Sequence, residues 1–442
     1  MANIIPFRGI LYSPEVVGDI RDVVAPPYDV IDAEYQQALH ARHPYNVIRL
    51  ELGHDLPDDG PTENRYSRAA GYLREWLANG TLRRDTLPAI YPYTVEYQAP
   101  CAGPNPARQV LKGFLSTIEL EEFGSGRIFP HENTRSSAKT DRFKLLESCR
   151  AHFSPIFSLF SDPGGGILHL IQKSIDADTP RIEARDDSGF CHRLWALTDT
   201  GILEEVSSAM RPIPLFIADG HHRYETALNY RRLRNQQTSR HAPSGPEPHD
   251  SVLMLFSSLE DPGLTVLPTH RVLKSPLATT SDLPDLLNAA FAIQEFRFGP
   301  TSEAEVRQRF IQALRTQGES ATVFGLARRG SHAYLLLVLR STHSPTPAHT
   351  QRDRLDVSIL QRQIVSKLCP SQADQERIYY TKDDDEALDL VGRGEAEAAL
   401  LLNPTKLSEI RAVAEANERM PHKSTYFFPK PLTGLVMNVM DP

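Results

Sequence analysis

The sequence predicts a mixed α/β or α+β protein built in more than one lobe, and three observations carry that prediction. Apolar strand-like runs alternate with segments of helical period along the chain, several strands pair as hairpins, and 442 residues exceed what one compact core holds. Hairpins beside strand–helix units argue against a regular parallel sheet. We expect an N-terminal and central region over 1–275 and a C-terminal α/β region over 276–442.

The elements follow in order. Residues 63–79 have the period of an amphipathic helix, with Tyr66, Ala69, Ala70, Leu73, Trp76 and Leu77 on one face and Gly80 as its stop. Runs 89–98 and 108–120 predict two strands of a long hairpin. A polar loop, FPHENTRSSAKTD (129–141), leads into a helix carrying Phe143, Leu146 and Cys149. Strands are expected at 154–161 and 189–199, and a short helix at 202–210. The central unit is strand IPLFIA (213–218), turn Asp219-Gly220, and a helix from His221 to Arg234. Polar residues 235–250 predict a surface loop. Strands follow at 251–259 and 264–273. Ser302 to Glu305 has the pattern of a capping box opening a helix with Val306, Phe310 and Leu314. A hairpin is expected over 322–340, helices near 353–368, 383–392 and 405–418, and a strand at 396–404.

Composition narrows the function. Hydrophobic content of 40% and charged content of 24% are ordinary for a globular protein. A net charge of −8 argues against nucleic acid as a partner, which needs a basic footprint. No window approaches the roughly 18 consecutive apolar residues of a membrane span, and the start, MANIIPFRGILYSP, lacks the pattern of a signal peptide. Cys101, Cys149, Cys191 and Cys369 lie far apart with no CxxC pair, which suits reduced thiols. The expectation is a cytoplasmic protein.

The segment ADGHHRYETAL (218–228) carries the strongest chemistry. A strand that turns into a helix through Asp219-Gly220 leaves unpaired amides at the helix start, and these with the helix dipole favour a phosphate. Gly220 permits close approach of a ligand to the backbone. Arg223 offers a planar fork for two phosphate oxygens, and His221 and His222 add donors. Asp219 can cap the helix, hold a metal such as Mg2+, or act as a base. A zinc site is disfavoured, because adjacent helical residues point roughly 100° apart.

Other segments divide between site and scaffold. In VAPPYDVI (24–31) two prolines stiffen the loop that presents Tyr28 and Asp29, either to a site or as a domain-entry turn. RLEL (49–52) sets Arg49 and Glu51 on one face of a strand, where a salt bridge is the favoured account. The 129–142 loop holds His131, Glu132, Lys139, Asp141 and Arg142, and either closes over a nucleotide or is solvated. LPTHRV (267–272) presents Thr269, His270 and Arg271 at a strand end, facing a cleft or as a satisfied turn. In MPHKSTYFFPKPLTG (420–434), Lys423, Ser424 and Thr425 suit phosphate, while a core-sealing strand is the other account. It is not a P-loop, since the glycine spacing is missing. No GxSxG elbow is present.

The strand–DGHHR–helix resembles the nucleotide-binding motif of the ParB/sulfiredoxin superfamily, which includes partition proteins and free serine kinases. The wider chain resembles a bacterial family catalogued as domain of unknown function 1015, through FRGILYSPEVVGDIRDVVAPPYDVI, RHPYNVIRLELG, FPHENT, LFIADGHHRYETAL, LPTHRV and MPHKSTYFFPKPLTGLV. These stretches span residues 7 to 436. The resemblance implies a ParB/sulfiredoxin-like nucleotide-binding unit embedded in a larger multi-lobed chain. It further implies transfer of phosphate between a nucleotide, ATP or ADP with Mg2+, and serine or a similar small hydroxy compound. Asp219, Gly220, His221, His222 and Arg223 carry over from the motif. In that scheme Asp219, Asp29 and His222 do the chemistry. Gly220, His221, His222, Arg223, Lys423, Ser424 and Thr425 hold phosphates, and Tyr28, Glu51, His131, Glu132, Lys139, His270 and Arg271 serve substrate or lid. The competing readings are a nucleotide-gated switch of partition-protein type without catalysis, and a phosphoserine phosphatase.

Overall fold

The computed structural model describes residues 3–99, 107–124, 126–130, 132, 136–238, 247–277, 283–343, 350–421 and 423–440. Met1–Pro130, Thr134–Thr265 and Pro429–Pro442 form one unit, and His131–Asn133 with Val266–Phe428 form a second. The boundary expected at 275/276 falls inside the second.

A nine-stranded mixed sheet organises the first unit. Its strands are β1 (Ile4–Ile5), β2 (Tyr91–Gln98), β3 (Arg108–Glu119), β4 (Ile128–Phe129), β5 (Ile156–Phe160), β6 (Ile182–Arg185), β7 (Cys191–Leu194), β8 (Leu215–Asp219) and β9 (Ser251–Ser258). Their order is β4-β8-β5-β9-β3-β2-β7-β6, with β1 on β3. β2 and β3 form the expected hairpin, Tyr91 opposite Leu115 and Gln98 opposite Arg108. The β8–β4 and β9–β5 pairs are parallel and the β8–β5 pair antiparallel, so the sheet is mixed as the patterning implied. Phe114, Phe160, Ile217, Met254 and Phe256 are buried in one core, and the rings of Phe114 and Phe256 stack at 5.0 Å. Each such side chain contributes about 1.5–3 kcal/mol on burial.

Helices α1 (Ile48–Glu51), α2 (Arg65–Ala78), α3 (Ser136–Cys149), α4 (Gly166–Lys173), α5 (Thr200–Met210) and α6 (His221–Thr238) belong to this unit. Asn64 opens α2 by accepting from the amides of Tyr66 and Ser67, and Ser67 Oγ in turn accepts from Asn64 N at 3.0 Å. That exchange satisfies donors a bare helix start would waste.

Two expectations in this unit are corrected. RLEL is the one-turn helix α1, so Arg49 and Glu51 do not share a strand face: Arg49 donates to His40 O and Glu51 turns to Arg142. The segment expected as loop to residue 141 is helical from Ser136, which puts Lys139, Asp141 and Arg142 on α3.

The second unit has a six-stranded antiparallel sheet of β10 (His270–Leu273), β11 (Phe291–Arg297), β12 (Val323–Arg328), β13 (Ala333–Leu339), β14 (Tyr379–Thr381) and β15 (Ala398–Leu401), in the order β11-β13-β12-β15-β10-β14. Helices α7 (Glu303–Gly318) and α8 (Asp384–Gly392) pack on it. Val306, Phe310 and Leu314 face the core as their spacing required. Ser302 does not cap α7, because its hydroxyl accepts from Gly299 N at 2.9 Å instead. The run expected as one strand over 264–273 is broken at Pro268, and the helix expected over 353–368 is interrupted at Leu355. Cys149, Cys191 and Cys369 are buried free thiols, and Cys101 lies outside the described residues. Among the described residues, no helix is long and apolar enough to cross a membrane.

Candidate functional site

The turn after β8 is made by a single residue. Gly220 has φ +95°, a left-handed backbone that L side chains rarely adopt, and a Cβ there would lie 3.0 Å from the Arg223 guanidinium. The helix begins at His221, and Tyr224 N donates to Gly220 O at 3.0 Å. Buried Tyr224 fixes the first turn from below, its hydroxyl donating to Glu121 O at 2.8 Å and accepting from Glu121 N at 3.0 Å. His221 is buried and His222 half-buried. The amides at the start of an 18-residue helix therefore stand on a rigid base.

The C-terminal segment brings distant motifs to that turn. Its backbone pairs with Ile10 through Met437, with Ala25 through Thr433, and with Ala151–His152 through Asn438–Val439. The Ala25 pairing anchors the Pro26-Pro27 loop, so that Asp29 meets Lys430. Lys430 Nζ lies 2.8 Å from Asp29 Oδ2 and 3.1 Å from Asp219 Oδ1. The other Asp219 oxygen accepts from Arg223 Nη2 at 2.9 Å.

Arg223 departs from its expected use. Its fork is committed to the Asp219 carboxylate and, at 2.6 Å, to the carbonyl of Pro155. A guanidinium bonded in two directions within the fold braces the turn, and its buried Nε has no partner among the described residues.

Beside the turn lies a buried ion pair. Glu51 accepts from Arg142 Nη1 at 3.0 Å and from Ser154 Oγ at 3.1 Å, and all three residues are about 95% buried. Arg142 also donates twice to Asp141 Oδ2, and its guanidinium sits 4.2 Å from the centroid of the Tyr28 ring. Burial pushes the Tyr28 phenol up to about 12, against the opposing pull of Arg142 and Arg223 and with Asp29 and Asp219 adding to the rise. Tyr28 is therefore a neutral donor at physiological pH. Burial also works to raise Asp141, but Arg142, Tyr66 and Arg65 outweigh it and hold the carboxyl below its ordinary value. Glu51, Arg142, His152, Ser154, Arg223 and Thr226 line a cavity of about 40 Å³ behind the turn. Burial, with Arg223 adding, lowers His152 to about 4, so this imidazole is neutral. Lys139 reaches Glu225 on α6 at 2.9 Å.

In the second unit the expected phosphate donors hold an internal anion. Glu132 Oε1 accepts from Ser424 N at 3.0 Å and from Thr425 N and Oγ1 at 3.3 Å each. Lys423 precedes them with φ +57°, a conformation that turns successive amides toward one point. His270 and Arg271 are fully interior rather than presented to a cleft. His270 Nδ1 accepts from Leu402 N at 3.2 Å and its Nε2 lies 3.0 Å from Asp384. Arg271 donates to the carbonyls of Thr269 and Lys423 and stacks on Tyr380 at 5.4 Å. His131 lies outside the described residues.

Among the residues assigned to the site from sequence, Tyr28, Asp29, Glu51, Lys139, Asp219 and Gly220–Arg223 thus belong to one neighbourhood of the first unit. Sequence reasoning missed Lys430, Ser154 and His152, and left Arg142 among the charges of a loop. The one available signal was the oddity of a lysine between two prolines, Pro429 and Pro431.

The Mg2+ expected on Asp219 is not supported by these side chains. Both Asp219 oxygens face cations, Lys430 shares Asp29 as well, and no group of three His, Cys, Asp or Glu among the described residues could hold a metal.

No curated protein matches the chain. Among solved structures, it is similar to a free serine kinase in complex with AMP at 12% identity and TM-score 0.34, over 71% of this chain and 86% of that one. A conserved hypothetical protein from Pyrococcus furiosus is similar at 13% identity and TM-score 0.34, covering 73% of this chain and 93% of that one. C-terminally truncated SbnI from Staphylococcus aureus is similar at 12% identity and TM-score 0.35, covering 72% and 85%. The family model described as protein of unknown function (DUF1015) matches residues 4–358, and the chain belongs to that family.

Proposed function

We propose that this protein is a nucleotide-dependent phosphotransferase acting on serine or a similar small hydroxy compound, with a ParB/sulfiredoxin-like unit around β8 and α6. The observation that carries the reading is the convergence of Tyr28, Asp29, Glu51, Arg142, Asp219 and Lys430 about the Gly220 turn at the head of α6. Phosphoryl transfer asks little covalent chemistry of a protein: positioning and charge neutralisation do most of it. The amides after Gly220 and the His222 side chain hold the nucleotide phosphates. The substrate hydroxyl oxygen bonds to the γ-phosphorus while the bond from that phosphorus to the β–γ bridging oxygen breaks. The hydroxyl proton passes to a carboxylate. Asp29 suits this role better than Asp219, which is bonded on both oxygens. Magnesium enters as part of the nucleotide substrate.

The test is to incubate the full chain with serine, ATP and Mg2+, and separately with phosphoserine and ADP, following phosphate by 31P NMR. Formation of phosphoserine or of ATP supports the reading. Saturable nucleotide binding without turnover supports the switch, and release of inorganic phosphate from phosphoserine without nucleotide supports the phosphatase.

A further inference from the structure

We propose that Lys430 is the built-in cation of the turn, occupying the position between Asp29 and Asp219 that a resident divalent ion would take. The inference goes beyond the phosphotransferase reading and does not depend on turnover. Two carboxylates whose oxygens converge within 3.1 Å of one point repel one another unless a cation lies between them. In many phosphate sites that cation is Mg2+, held by one or two carboxylates and otherwise by water and phosphate. Here it is an ammonium, whose side chain is only 10% exposed. Its placement is rigid. Pro429 and Pro431 flank it, and the backbone pairing of Ala25 with Thr433 ties its segment to the loop carrying Asp29. Arg223 neutralises the remaining Asp219 oxygen, so both Asp219 oxygens and Asp29 Oδ2 already have a covalently tethered positive partner. A metal ion entering this point would have to expel a largely buried ammonium and then meet its charge nearby. Lys430 is thus a positioning residue: it fixes the two aspartates relative to the amides after Gly220 without any need for ion capture.

The experiment is a Mn2+ titration of the full chain without nucleotide, with free Mn2+ read by electron paramagnetic resonance. The wild type is expected to take up no Mn2+ at this turn. Lys430→Met removes the ammonium and leaves the carboxylate pair, and is expected to gain a site of about 10⁻⁴–10⁻³ M, the weak end for carboxylate ligands. Adding Asp29→Asn to that variant is expected to abolish the gained site. Lys430→Arg, which restores a cation, is expected to exclude Mn2+ as the wild type does. Wild-type uptake that disappears in Asp219→Asn overturns the proposal, and this arm holds whether or not the methionine variant folds. A folded Lys430→Met chain that binds no Mn2+ overturns it equally.

Discussion

Lys430 Nζ lies 2.8 Å from Asp29 Oδ2 although 401 positions separate the two residues, and the same ammonium reaches Asp219. The contact joins three segments far apart in sequence at the Gly220 turn. Its removal should be felt in both folding and binding. Lys430→Met is expected to lose about 1–3 kcal/mol of stability, the cost of leaving partly buried charges without their partner. Nucleotide affinity should fall with it, because the turn is no longer tied to the Asp29 loop. Denaturant unfolding and calorimetric titration with ADP, on the same preparation, check both parts.

Arg223→Lys separates a brace from a phosphate ligand. A lysine cannot bond the Pro155 carbonyl and the Asp219 carboxylate in the fixed directions of a guanidinium. Loss of one charge-assisted bond should lower stability by about 1.5–3 kcal/mol. Nucleotide affinity should change by less than about threefold, well short of the tenfold that 1.4 kcal/mol would represent. A tenfold or greater loss of affinity with an unchanged melting temperature would return Arg223 to the phosphate.

Gly220→Ala tests the backbone of the turn. Alanine at φ +95° is strained, and its Cβ would press on the Arg223 guanidinium at 3.0 Å. A cost of about 1–3 kcal/mol is expected, together with weaker nucleotide binding, since the amides after the turn must shift. A variant of wild-type stability and affinity would show that the turn has no such demand.

His152 gives the protein an acid-sensitive element. Its value falls from 6.5 to about 4 in the fold, through burial first and Arg223 second. The unfolded chain therefore binds a proton that the folded chain refuses, and stability is lost as pH falls from 6.5 towards 4. A shift of this size corresponds to about 3 kcal/mol at about 1.4 kcal/mol per pH unit. Unfolding free energies of wild type and His152→Gln across that window should converge as the pH falls. Parallel curves would show that His152 is not the group responsible.

How much of this was legible in the sequence differs by element. The helix over Arg65–Ala78 and the β8–turn–α6 unit were readable because apolar period and a glycine break coincide with real burial. The start of α3 was not, since Ser136 to Thr140 carries no apolar residue but Ala138 and the packed face begins only at Phe143. RLEL alternates as a strand would, but Ile48 and Leu50 are both buried by a single helical turn. The candidate site was half legible. Asp219, Gly220, Tyr28 and Asp29 sit in unusual local patterns, whereas Lys430 and Ser154 acquire their meaning only from contacts 211 and 103 positions away. Arg223 was read as a planar fork for two phosphate oxygens, and the sequence shows that guanidinium but not its bond to the Pro155 carbonyl.

In the proposed phosphotransferase, phosphate sits at the head of α6. A high-resolution crystal structure of the full chain soaked with ADP tests it most directly. A phosphate oxygen is expected within hydrogen-bond distance of the amides of His221 or His222, with Lys430 still between Asp29 and Asp219. Phosphates bound elsewhere, at Ser424–Thr425 in place of Glu132 for example, with the Gly220 turn untouched, would contradict it.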